Sequence, residues 1–322
     1  MMFAAARAGS TMLLLSTALS AWSQSYPVRP VRMVIAFAPG GGTDVVGRII
    51  SQRLTEMWPQ PVVIDNRPGA GSIIGTEIVA KAAPDGYTLQ TVSMSHALNV
   101  ALYRTLPYDP IRDFAHVILA ARAPNVLIAH PSLPAKTTKE VIALAKSQPG
   151  KLNFSSSGTG GVSHLSAEMF RSVAGIDIVH VPYTGAGPAM TALLSGEVQL
   201  MMATTPVALT QMKANRVRAI AVSSRKRSTL VPELPTVAEA GFPGFATDTW
   251  YGVLAPARTS AAIVNKINAD IARLLKNREV QAQLEQQGAE VAGGSPQEFR
   301  AFAESEVTKW SKAIRAAGIE PN

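Results

Sequence analysis

The stretch VRMVIAFAPGGGTDVVGRIISQRL (31–54) decides the fold. Its first part, Val31–Phe37, is a short and mostly apolar run of the kind a buried strand needs. Pro39 and three glycines then break the pattern. Val46, Ile49, Ile50 and Leu54 follow at about 3.6-residue spacing, which puts them on one face of a helix. Strand, glycine turn and helix make the repeating unit of an α/β sheet.

The unit recurs along the chain. Apolar runs lie at Val62–Asn66, Thr88–Ser93, Leu152–Ser157, Ile178–Tyr183, Val198–Thr204 and Val217–Ser223. Small residues lead from several of them into helical patterns: NRPGAGS (66–72), SSSGTGG (155–161), VPYTGAG (181–187) and ATT (203–205). A mostly parallel α/β arrangement is predicted. Thr137…Glu140, Thr236…Glu239 and Ser295…Glu298 match the S/T-x-x-E box that starts helices. Residues 260–322 show helical stripes and almost no strand pattern, with Ile263, Ile267, Ile271, Leu274 and Leu275 in one stripe and Phe299, Phe302 and Trp310 in another. Such a tail must bury its stripes against a sheet formed elsewhere. Two lobes are therefore expected, crossed twice by the chain within His116–Ile128 and near Thr247–Val253. The first lobe takes 24–124 and 249–322, the second 125–248.

Composition narrows the class. Of 322 residues 47% are hydrophobic and 16% charged, too apolar for a disordered chain. Cysteine is absent, which excludes disulfides, thiolate metal sites and cysteine nucleophiles. The formal charge of +8 suits acidic small molecules as well as acidic polymers. Residues 1–23 carry Arg7 and then an apolar run, Thr11–Trp22. That run is well short of the roughly 20 residues a membrane-spanning helix needs. It fits the core of a signal peptide cut after Ala21-Trp22-Ser23, before Gln24, which predicts export to the periplasm.

The turns at the strand ends are rich in Gly, Ser and Thr and poor in acids and bases. Backbone N–H groups at a helix start lack intrahelical partners, and glycine lets an anion approach them. Two such turns facing each other across a cleft predict a site for a carboxylate or other small anion. Phosphate-loop readings fail in detail: Gly42 and Gly47 have the Walker spacing, but Arg48-Ile49 stand where Lys-Ser/Thr belongs. Gly69–Gly75 is one residue too long for the dinucleotide fingerprint. Five scattered histidines and the absence of a G-x-S-x-G elbow leave no metal, cofactor or catalytic residue expected. Arg225-Lys226-Arg227 lacks interleaved aromatics, so no nucleic-acid partner is expected. Asp44 has two readings: it steadies its helix start, or it accepts a hydrogen bond from an amino, amide or hydroxyl group of the ligand.

At FAPGGGTDVVGR (37–48), DNRPGAGSIIGTEIVAKAAPDGYTL (65–89), LPYDPIRDF (106–114), GKLNFSSSGTGGVSHLSAEMF (150–170), VPYTGAGPAM (181–190) and ELPTVAEAGFPGF (233–245) the chain resembles the Bug family. These are periplasmic solute-binding proteins, the receptor components of tripartite tricarboxylate transporters. The resemblance covers essentially the whole chain after residue 23. It implies a type II periplasmic-binding-protein fold, with one small ligand in a cleft between two α/β lobes and a membrane permease as partner. It also implies a ligand site at Phe37, Pro39, Gly40, Gly41, Thr43 and Asp44, closed by Ser93 and His96. Facing these it implies Ser157, Gly158, Thr159, Gly160 and His164, with Tyr183, Thr184, Thr204 and Thr205 from the second lobe. Where many relatives carry an acidic or amide residue after the strand ending in paired methionines, this chain has Ala203-Thr204-Thr205. The expected protein is a monomeric, non-enzymatic receptor for a di- or tricarboxylate, an aromatic acid or an acidic amino acid. A sensory module signalling to a membrane partner and an exported hydrolase using Ser157 or His164 are the alternatives.

Overall fold

The computed structural model describes residues 26–37, 39–159, 161–183, 186–316 and 318–321; the expected signal peptide lies outside them. The chain begins with β1 (Val31–Ile35), α1 (Gly42–Met57), β2 (Val62–Asn66), α2 (Ile73–Ala80), β3 (Thr88–Ser93), α3 (Ser95–Leu102) and β4 (Phe114–Ala123). It continues through β5 (Asn125–Ala129), α4 (Thr138–Ser147), β6 (Asn153–Ser156), α5 (Val162–Ala174), β7 (Val179–Pro182), α6 (Ala186–Ser195), β8 (Leu200–Thr204), α7 (Thr205–Lys213) and β9 (Arg218–Val222). The last elements are β10 (Thr249–Pro256), α8 (Ala261–Leu274), α9 (Arg278–Gln286), β11 (Glu290–Val291) and α10 (Pro296–Ala316).

The strands form two sheets, ordered β11-β4-β10-β3-β1-β2 and β7-β6-β8-β5-β9, one for each lobe of an α/β fold. Apolar sequence explains the layering. Val31, Met33 and Ile35 pack with Val46, Ile50 and Leu54 of α1 and with Ile267 and Ile271 of α8. On the opposite face Val34 and Val92 meet Leu98 of α3 and Phe299 and Trp310 of α10. In the second sheet Phe154 and Met202 pack with Phe170 of α5. Met201 packs with Met190 and Leu193 of α6 on the other side.

Two expectations need correction. The sheets are not mostly parallel: β1 runs parallel to β2 and β3, and β6 to β7 and β8. By contrast, β10 is antiparallel to β3 and β4, and β5 is antiparallel to β8 and β9. The reversed strands adjoin the passages between sheets, where the chain proceeds directly and needs no helical crossover. The Thr236…Glu239 box starts only a one-turn 3₁₀ segment, Ala238–Ala240, although Thr236 Oγ1 accepts the Glu239 N–H at 3.0 Å. Gly241, with φ +115°, and Pro243 stop it. The other two boxes form as read: Glu140 N–H donates to Thr137 Oγ1, and Ser295 and Glu298 bond reciprocally.

The passages are fastened by buried polar groups. Asn125 donates its side-chain amide to the Thr247 carbonyl (2.5 Å) and to Ser166 Oγ (3.1 Å), and its N–H to Ser223 Oγ (2.9 Å). Thr205 donates its N–H (3.2 Å) and its hydroxyl to the Pro124 carbonyl. Behind β10 the buried Glu306 carboxylate accepts the indole N–H groups of Trp250 (3.1 Å) and Trp310 (2.9 Å).

Gly252 marks where α10 presses on β10: a Cβ there would overlap the Phe299 ring. We expect Gly252→Ala to destabilise the fold by about 1–3 kcal/mol, the usual cost of overpacking a tight core. Urea unfolding followed by tryptophan fluorescence measures this. A stability equal to the wild type would show that the ring moves aside freely.

Candidate functional site

A cavity of about 770 Å³ opens where the two lobes meet. The first lobe supplies most of the wall, through Phe37, Pro39, Gly41, Gly42 and Thr43 at the start of α1 and Ser93, Met94 and Ser95 at the start of α3. The second lobe contributes Thr159, Gly161 and Val162 at the start of α5. Both α1 and α5 therefore begin at the cavity.

These two starts are alike: both begin on glycine. The N-cap residues are Gly41 and Gly161, with φ/ψ of −79°/165° and −73°/166°, and neither helix has a side-chain cap. By contrast α4, α8 and α9, away from the cavity, are capped by the side chains of Thr137, Ser260 and Asn277. The N–H groups of Gly42 and Thr43 in α1 and of Val162 in α5 thus remain available at the positive end of each helix dipole. Gly42 admits Tyr251 from β10, since a Cβ at position 42 would collide with the tyrosine hydroxyl. Burial pushes the Tyr251 hydroxyl up to about 12, so it stays a neutral donor.

The floor is a run of hydroxyls and one amide. Ser95 Oγ lies 3.2 Å from both Ser72 Oγ and Ser93 Oγ. Asn99, one helical turn after Ser95, donates to the Gly71 carbonyl (2.9 Å) and to Ser72 Oγ (3.2 Å). Thr249, Tyr103, Ile319 and Glu320 complete the polar and apolar wall with Leu98 and Leu102. Among the described residues on the wall there is no lysine, arginine or histidine, and Glu320 is the one charged side chain.

Of the residues singled out in the sequence, Phe37, Pro39, Gly41, Thr43, Ser93 and Thr159 stand on this wall. Others are brought close but turned to structural work. Asp44 is buried, accepting the Gly40 N–H (2.9 Å), Arg48 Nε (2.8 Å) and Asn66 Nδ2 (2.8 Å). Burial alone would raise its pKa, but the bonds from Arg48, Asn66 and Gly40 outweigh this and hold it below the usual carboxylate range. Ser157 meets Ser163 through its N–H (3.0 Å) and its hydroxyl (2.9 Å), bracing the entry to α5. Gly158 donates its N–H to Ser156 Oγ at 3.2 Å.

Several side chains are placed off the wall. His96 is buried in the first lobe, stacked with Tyr108 and edge-on to Phe114, and its Nε2–H donates to the Pro110 carbonyl at 2.8 Å. Burial lowers it to about 4. His164 stacks on His180 with ring centroids 3.9 Å apart and lies 3.8 Å from Glu168 Oε1. Burial, assisted by the Arg171 charge, lowers it to about 4. Tyr183 donates its hydroxyl to Glu197 (2.8 Å), Thr204 stands at the start of α7, and Thr205 is engaged with Pro124. Gly160 and Thr184 lie outside the described residues.

Sequence reasoning passed over Ser95, Asn99, Tyr103, Thr249, Tyr251 and Glu320. Ser95 and Asn99 had a signal: the strand run Thr88–Ser93 leads through Ser93-Met94-Ser95 straight into α3, with serines where the other turns carry glycine. Tyr251 and Thr249 had a weaker one, alternating along the expected return strand. Nothing marked Glu320.

The Asp44 network predicts a pH signature. A carboxyl depressed on folding stabilises above its unfolded value, about 3.9, and loses that contribution as pH falls through its folded value. Asp44→Asn should therefore cost about 1–3 kcal/mol at pH 7, the scale of a broken buried charged hydrogen bond. The gap to wild type should shrink as the pH approaches 3. Denaturant melts at the two pH values read it, and a gap that does not change with pH would refute it.

Residues 46–319 match the model of the tripartite tricarboxylate transporter family receptor. The chain is 36% identical over 300 residues to Protein BugT of Bordetella pertussis, covering 92% of each. The R. palustris protein Rpa4515, solved with adipate, is 38% identical and superposes with a TM-score of 0.77 over 92% of this chain and 100% of that one. MatC (Rpa3494) of Rhodopseudomonas palustris, solved with bound malate, is 34% identical, with a TM-score of 0.73 over 90% of this chain and 100% of its own. With two α/β lobes meeting at a cavity and this match along most of its length, the chain belongs to the tripartite tricarboxylate transporter receptor family.

Proposed function

We propose that the protein is a periplasmic receptor that takes up a small carboxylate-bearing solute in the interlobe cavity and passes it to a tripartite tricarboxylate-type permease. One observation carries this reading: two glycine-started helices without a side-chain cap, one from each lobe, open on the same cavity. A carboxylate between them accepts N–H groups from Gly42 and Thr43 on one side and from Val162 on the other. The wall hydroxyls of Ser93, Ser95, Thr159 and Tyr251 supply further donors, directly or through water. The cavity is roomy for a small acid, so bridging waters fit beside the ligand. The adipate and malate bound by related proteins are of this chemical class.

Within this reading Gly40, Asp44, Ser157 and Gly158 shape the two turns without touching the ligand. The signal-peptide pattern of residues 1–23 and the family to which the chain belongs support export. Backbone N–H and hydroxyl donors among the described wall residues suit holding a ligand without altering it.

Calorimetry and thermal shift with small mono- and dicarboxylates test the proposal. At a concentration of about 100 Kd an acid that binds only the folded protein adds roughly 2.7 kcal/mol and raises Tm. Gly42→Ala, which pushes Tyr251 off the start of α1, should weaken binding by about tenfold, the scale of one charge-assisted hydrogen bond, and still fold. If none of these acids raises Tm, the proposal fails.

A further inference from the structure

The cavity has two chemically different ends. One end is the meeting of α1, α5 and the start of α3. The other lies along α3, past Leu98 to Leu102 and Tyr103, where Ile319 and Glu320 form the wall. From Ser95 to Leu102 is seven residues of helix, roughly 10 Å at 1.5 Å per residue. The segment carrying Glu320 is fixed in place. Ile319 N–H bonds the Ile314 carbonyl at 3.3 Å, its side chain packs with the core beside α10, and Arg104 Nε donates to the Pro321 carbonyl at 3.2 Å. Arg104 itself is not on the wall.

Resting on the receptor reading above, we propose that Glu320 is a specificity-determining residue. It selects an elongated acid whose far end is an amino, amide or hydroxyl donor and disfavours a second carboxylate there. A ligand carboxylate held by helix N–H groups leaves its chain to run along apolar Leu98, Leu102 and Ile319. What reaches Glu320 meets an acceptor-only group, which attracts N–H and O–H and repels a like charge. A protein with the same grip but no acid at this end would take dicarboxylates readily.

Calorimetry on the wild type and Glu320→Gln tests this with equal-length pairs, 4-aminobutyrate against succinate and 6-aminohexanoate against adipate. Glu320 is exposed, so the variant should melt like the wild type. The ratio of amino-acid to diacid affinity should fall by about fivefold in the variant for the pair that binds, the scale of one partly solvated charge contact. An unchanged ratio overturns the role of Glu320 and leaves the receptor reading standing. Failure of every acid to bind the wild type overturns the receptor reading and this inference together.

Discussion

An α-helix leaves its first N–H groups unpaired, and this protein starts two helices on glycine, without a side-chain cap, at one cavity. The rest of the site is arranged around that choice. A serine or aspartate at the N-cap would fold back onto those donors and fill them. Glycine cannot. Asp44, in the first turn of α1, is the residue best placed to spoil the arrangement, yet its oxygens are occupied by Gly40, Arg48 and Asn66. Its charge is thereby spent on the turn before the helix and on Arg48. Ser163 is likewise taken by Ser157.

A cavity walled by two lobes also needs the lobes to meet reproducibly. The two passages of chain between them are tied to one another: Asn125 holds the Thr247 carbonyl, while Ser223 N–H donates to the Asn125 carbonyl at 2.8 Å. β4 and β10 stay paired up to this point, with Thr249 opposite Ala123. The joint between the lobes is thus short, buried and hydrogen-bonded, and Tyr251 and Thr249 of the cavity wall extend directly from it. On the proposed receptor reading, a solute that touched both helix starts would bind best when they approached, and only such a difference in affinity could move the lobes.

The strands, the glycine turns and most helices could be read from the chain because their causes are local. Apolar runs of strand length, the S/T-x-x-E boxes at Thr137 and Ser295, and the stripe Ile263–Ile267–Ile271 each act within a few residues. Strand direction could not be read this way. Whether β10 runs with or against β3 depends on how the chain returns to its sheet, which no local pattern encodes. The turn at Thr236 shows the converse, a correct cap overruled by Gly241 and Pro243 just after it. The α1 and α5 turns announced themselves through glycine. Histidines did not reveal their places, because a polar ring at helical spacing suits a cleft and a core equally. His96 found its partner in Pro110, fourteen residues on. Glu320 faces the cavity only because α10 ends beside α3, a tertiary fact.

Four buried or half-buried histidines respond to acid in this molecule. His96, His164 and His180 are held down to about 4 and His116 to about 3, with burial the leading cause for each. Between the ordinary histidine value of about 6.5 and those values, the unfolded chain binds protons that the folded chain does not. These histidines therefore lower stability as the pH drops through that window, while the Asp248 carboxyl, raised by burial to about 6, acts in the opposite direction there. The donors of α1 and α5 are backbone amides and do not titrate, and Tyr251 stays neutral throughout. A grip made of helix starts instead of histidine or lysine keeps its charge pattern at any pH at which the fold survives. The histidine proton sensitivity belongs to the scaffold, because the positive end of the cavity is built from peptide dipoles and not from histidine side chains.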